Sequence, residues 1–150
     1  MEDEPVDPVI EGTGIVNVAW AGTGAFAVTA IVATIADRDA LTYIAVAVAL
    51  ALFAVGCGAF LWAYALAVAR SREELIGIGG LYFLAGTAPK VVAFRLRLVL
   101  AVEVVIALAT SAVRPYTSVA FGILVPMFGL GLMGLWGARY GTFAPREQQP

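Results

Sequence analysis

Three uninterrupted uncharged stretches, residues 12–36, 41–69 and 115–138, decide what this chain can fold into. A helix that crosses the hydrocarbon layer of a membrane needs about 20 mostly apolar residues, and each stretch is at least that long. A fourth, residues 91–113, is apolar apart from Arg95, Arg97 and Glu103. The chain is 61% hydrophobic and 13% charged, against about 45–50% and 25% in soluble domains. Four spans consume most of its 150 residues and leave no length for a soluble catalytic domain. The expected fold is all-α: a polytopic membrane protein with four transmembrane helices arranged as two antiparallel hairpins.

The punctuation between the apolar blocks sets the expected limits. Glu2, Asp3, Glu4, Asp7 and Glu11 precede any basic residue. A secretory signal begins with positive charge, so the first apolar block is expected to remain as a helix behind a disordered acidic tail over 1–13. The helices are expected at about 15–35, 41–69, 92–113 and 118–138. Asp39 is placed to cap the second helix, since its carboxylate can accept free backbone N–H groups. Ser71-Arg72-Glu73-Glu74 has the spacing of a capping box. The apolar run after it, 75–88, is too short to span and is weakened by its glycines, so 71–89 reads as an interfacial or re-entrant loop. Arg114-Pro115-Tyr116-Thr117 reads as a tight turn, Pro126 as a kink in the fourth helix, and 141–150 as a disordered tail.

Orientation follows from lysine and arginine. With four helices, one side receives Arg70, Arg72, Lys90, Arg95, Arg97, Arg139 and Arg146, and the other only Arg38 and Arg114. The positive-inside rule places the first group, and both termini, in the cytoplasm of a plasma-membrane protein. Tyr43 and Tyr116 then fall at the outer interface, with Trp136 and Tyr140 near the inner one. The bilayer is the first expected partner, and the basic set from Arg70 to Arg97 is placed to meet anionic headgroups.

One carboxylate lies inside a span. Glu103 is near the middle of the third helix, where an acid costs roughly 2.5–3.5 kcal/mol on insertion scales. It is expected to face the bundle and either pair or stay protonated. Glu103, Ala107, Thr110 and Arg114 follow an i, i+4, i+7, i+11 pattern and share one face. Neither Arg97 nor Arg114 is a helical neighbour of Glu103, so the partner should come from another helix. Tyr64 matches it in depth counted from Arg70, and Asn17 and Thr23 are alternatives. The candidate polar seam is therefore Glu103, Thr110, Arg114 and Tyr64. Its functional reading is a proton, cation or exchanged substrate bound at Glu103; its structural reading is one interhelical hydrogen bond.

Other motifs fail their own tests. Gly22-Thr23-Gly24-Ala25-Phe26-Ala27 imitates a dinucleotide fingerprint but has no strand before it. The pairs Gly134/Ala138, Ala54/Gly58 and Ala21/Ala25 have the small-xxx-small spacing of close helix packing. With no histidine and one cysteine, Cys57, the usual zinc sites, histidine-ligated haem and histidine acid–base catalysis are excluded within this chain. No cofactor, catalytic residue or nucleic-acid contact is expected.

The runs Gly58-Ala59-Phe60-Leu61-Trp62, Ser71-Arg72-Glu73-Glu74, Leu81-Tyr82-Phe83-Leu84, Arg114-Pro115-Tyr116-Thr117, Val125–Leu132 and Trp136–Phe143 resemble a family of small four-helix integral membrane proteins from actinobacteria. That resemblance implies location and fold and no site residues. In size and helix count the chain is also similar to small multidrug transporters, but those carry their essential glutamate in the first helix. The expected role is a non-enzymatic accessory or assembly subunit of a larger membrane complex, or a homo-oligomer; the alternative is a small proton- or cation-linked transporter built on Glu103.

Overall fold

The structure, a computed structural model, describes residues 11–36 and 38–146. The expected acidic tail falls outside them up to residue 10, as does the end of the expected C-terminal tail from residue 147. The described chain is all-α apart from one two-residue strand pair. Helix α1 spans Thr13–Ala36, α2 Asp39–Arg70, α3 Ile78–Tyr82, α4 Lys90–Val113 and α5 Pro126–Tyr140. A 3-10 helix, Ser118–Leu124, leads into α5, and strands β1 (Glu74–Leu75) and β2 (Ala144–Pro145) pair antiparallel.

Three helical runs are long and apolar enough to cross a membrane: α1, α2 and Ser118–Tyr140, which joins the 3-10 helix to α5. Helix α4 matches α1 at 24 residues, about 36 Å at 1.5 Å per residue, but carries Arg95, Arg97 and Glu103.

The buried positions of α1, Val16, Ala19, Thr23, Phe26, Ala30 and Ala33, alternate three- and four-residue steps. They trace one stripe along the helix, as a seam between packed helices does. Helix α4 answers with Val92, Leu96, Val99, Glu103, Ala107 and Thr110. Val16 and Ala19 share a core with Leu96 and Val99, and Phe26 and Ala30 share one with Ala107, so α1 and α4 run in the same direction. Helices α2 and α5 also run in the same direction. Gly56 lies against Met127, Phe128 and Gly131, Ala63 against Gly134, and Arg70 against Ala138. The α2–α5 contact is the most extensive in the fold. It depends on missing side chains: a Cβ on Gly131 would strike the backbone of Gly56, and one on Gly56 the backbone of Met127.

Several local expectations change. Asp39 is the first residue of α2 and makes no capping hydrogen bond; Arg38 holds the cap position with extended backbone. No helix starts at Ser71, which is followed by a turn and β1. The Ser71 hydroxyl donates back to Val68 O, closing α2, and Glu74 turns to Arg70 instead of to the Ser71 backbone. The segment after it caps the bundle. Leu81, Tyr82 and Leu84 are buried, and Tyr82 stacks on Phe60 at 4.4 Å between ring centroids while its hydroxyl donates to Phe60 O. Leu84 takes the left-handed conformation (φ 52°), a state held here by its buried side chain and by Arg97, which donates to Phe83 O and Leu84 O. Residues 141–146 are ordered against this cap: Thr142 N–H donates to Thr87 O and Arg146 N–H to Glu73 O. At Pro126 the last helical run does not merely bend. It changes from 3-10 to α, with proline in the first turn of α5, where its absent N–H costs nothing.

Of the small-residue pairs, Gly134 and Ala138 are buried, whereas Ala54, Gly58, Ala21 and Ala25 are exposed.

Candidate functional site

Glu103 sits where the stripes of α1 and α4 cross the start of α5. Its side chain is fully buried, at 0% exposure. Thr23 Oγ1 donates to Glu103 Oε1 at 2.7 Å, and the Gly129 N–H donates to Oε2 at 3.1 Å. Each oxygen is thus held by a different helix, and the acid ties α1, α4 and α5 together. Thr23 reaches it because it occupies the α1 stripe at the depth of Glu103, between Ala19 and Phe26.

Gly129 reaches it for two reasons. It is the fourth residue of α5, within the first turn and near the positive end of the helix. It also lacks a Cβ, which would collide with Oε2. The break at Pro126 therefore does structural service: it begins a helix opposite the carboxylate.

The remaining seam residues separate. Thr110 is buried on the same side of α4, two turns above Glu103, and its hydroxyl returns to its own helix at Ile106 O (2.8 Å). Gly122 lets the Phe26 ring approach beside it. Arg114 is half-buried at the C-terminal end of α4, where its N–H bonds to Thr110 O and its carbonyl accepts the Thr117 hydroxyl. Tyr64 stands apart. It is 59% exposed on the outer side of α2 and lines a cleft with Phe60, Ile78 and Phe83. Depth counting said nothing about azimuth: one residue is a 100° step round a helix, and the inward position is Ala63. Asn17 is likewise exposed.

Sequence reasoning named Thr23 only as an alternative and missed Gly129. The signal for Gly129 was present in the proline that restarts a helix in mid-span, with glycines behind it.

Chemically, the arrangement gives each oxygen of the Glu103 carboxyl group a hydrogen-bond partner. Of the groups at its two oxygens, a hydroxyl and an amide N–H, only the hydroxyl also carries oxygen lone pairs of the kind that a hard cation needs. Among the described residues no cluster of three acidic, histidine or cysteine side chains forms a metal site.

A second polar constellation lies at the end of the bundle where α2 and α5 finish. The Arg70 guanidinium donates to Ala138 O at 2.8 Å and Gly141 O at 3.0 Å, and meets the Glu74 carboxylate at 2.8 Å above the Phe143 ring. It satisfies helix-end carbonyls that α5 cannot pair itself.

Comparison with family models, with curated proteins and with solved structures finds no match.

Proposed function

We propose that this chain is a non-enzymatic plasma-membrane protein that acts through contacts of its helices, as an accessory or assembly subunit of a membrane complex. The observation that carries this reading is the double engagement of Glu103. The one acidic side chain at membrane depth is occupied in joining three helices, while the outward surface offers Leu61, Trp62, Tyr64 and Phe94, each more than half exposed. Such a surface meets either lipid or the helices of a partner. The resemblance to small actinobacterial membrane proteins belongs with this reading.

The same proposal includes four spans, in two hairpins, with both termini cytoplasmic. Helix α4 has the length of α1 and lies beside it from Val92 to Thr110, and its acid is buried rather than turned to lipid. Arg70 meeting Gly141, and Thr142 meeting Thr87, support one shared end for α2, α4 and α5. The close approach of Gly12 to Trp136 and Tyr140 supports the same end for α1. That is the end with seven of the nine lysines and arginines.

Solubilisation of native membranes in mild detergent tests the role. A larger protein complex should co-purify in fixed stoichiometry with this chain. A second reading, proton-linked transport on Glu103, is favoured by one feature: a helix interrupted at mid-span opposite a carboxylate, as in discontinuous transporter helices. Flux into vesicles holding the purified chain alone, abolished in Glu103→Gln, would establish it and displace the first.

A further inference from the structure

We infer that the cleft between α1 and the beginning of α4 is a site for one anionic phospholipid, its phosphate at Lys90 and Arg95 and an acyl chain along Trp20, Phe94 and Leu98. The inference rests on the reading that both helices cross the membrane.

The cleft, of about 640 Å³, is lined by Trp20, Lys90, Val91, Phe94, Arg95 and Leu98. Its lining combines two cations with four apolar side chains. Both cations belong to the first two turns of α4, with Val91 and Phe94 between them, and Leu98 and Trp20 of α1 complete the lining. From Lys90 to Leu98 is about 12 Å along the helix axis, most of the roughly 15 Å depth of one leaflet's hydrocarbon. Two cations beside an apolar lining over that depth suit a phosphate with the first part of an acyl chain.

Charge complementarity selects an anionic one. Only two of the seven basic residues at this end of the bundle have side chains tied into the fold. Arg70 and Arg97 are anchored on backbone carbonyls inside the fold. Among the described residues, Lys90 and Arg95 have no hydrogen-bonded or ion-paired side-chain partner, and no acid lines their cleft. Glu11 lines an adjoining cleft that also touches Lys90, without forming an ion pair. The start of α4 adds to the field. Pro89 at its cap has no side-chain acceptor and its first turn holds no acid, so the positive end of a 24-residue helix opens on the same mouth. A phosphodiester supplies the missing negative charge, and snorkelling of the two long side chains brings it into reach.

The test uses the full chain in mild detergent with defined lipids added, read by native mass spectrometry. The wild type should retain one phosphatidylglycerol in preference to phosphatidylcholine by about tenfold to thirtyfold, because each cation at an anionic surface is worth roughly a factor of five. Lys90→Gln with Arg95→Gln should abolish the preference, and Arg72→Gln with Arg139→Gln, two exposed cations elsewhere, should leave it intact. Equal loss in both pairs, or retention in the first, overturns the site. A second measurement avoids charge substitutions. In Trp62→Phe, the remaining partly exposed indole is Trp20 (39%), with Trp136 at 2%. Phosphatidylglycerol brominated on its acyl chains should quench it more strongly than brominated phosphatidylcholine at equal mole fraction in vesicles. Equal quenching overturns the site alone, whereas extraction of the chain from membranes by alkaline carbonate overturns the spanning reading with it.

Discussion

Replacing Thr23 by valine removes one donor from the buried acid while nearly preserving side-chain shape. The magnitude follows from where the bond sits. Hydrogen bonds to charged groups contribute about 1.5–3 kcal/mol in water-soluble proteins, but interhelical bonds in membranes average about 0.6 and reach about 1.7. A 2.7 Å bond between side chains exposed by 2% and 0% belongs at the upper end, about 1.5 kcal/mol, or roughly a twelvefold change in the folding equilibrium. The single substitution mixes this with whatever the unfolded chain finds in the membrane, so the clean quantity is a double-mutant cycle. Thr23→Val, Glu103→Leu and the double variant would be unfolded reversibly in mixed micelles with increasing dodecyl sulfate. Coupling should be about 1.5 kcal/mol, with the double variant little worse than Glu103→Leu alone. Additivity to within about 0.4 kcal/mol would refute the three-helix junction at Glu103.

Further outcomes follow from the same contacts. Gly131→Ala drives a methyl into the backbone of Gly56 and should cost about 1–3 kcal/mol in the same assay, as overpacking does. Gly58→Ala, on open space, should be neutral or slightly stabilising. Arg70→Gln should leave the helices in place but expose 141–146, seen as faster amide exchange at Thr142 and Arg146, whose bonds it helps to align. A reporter fused at Arg38 or after Arg114 should be active only outside the cytoplasm; activity inside at Arg114 would remove α4 as a span.

The sequence carried the helices plainly and their faces poorly. In a soluble helix, hydrophobicity marks the inner side. Here both sides are apolar, and on α2 the signal is size. The buried positions are Ala45, Ala49, Gly56, Ala63 and Ala67, while Leu61, Trp62, Tyr64 and Val68 point away. A search for large apolar residues would turn this helix inside out, and the depth argument for Tyr64 failed in the same way. Glu103 and Thr110 were legible because polarity still marks an inward position where lipid is the alternative. Gly129 was not, because its contribution is a backbone N–H and an absent side chain. The order in 141–146 was equally hidden: its bonds come from Glu73, Thr87 and Arg70, far off in sequence, and its own residues suggest only a tail.

The Arg70 contacts also have a consequence in time. Its carbonyl partners, Ala138 and Gly141, come 68 and 71 residues later in the chain. At 5–20 residues per second, a ribosome needs about 4–14 seconds to make that interval. Until then the end of α2 has a guanidinium with nothing of α5 to bind, and β1 has no strand to pair. Helices α1 and α2 are therefore made as an unfinished half, and the clasp at the base of α2 closes only once residues 138–145 have followed.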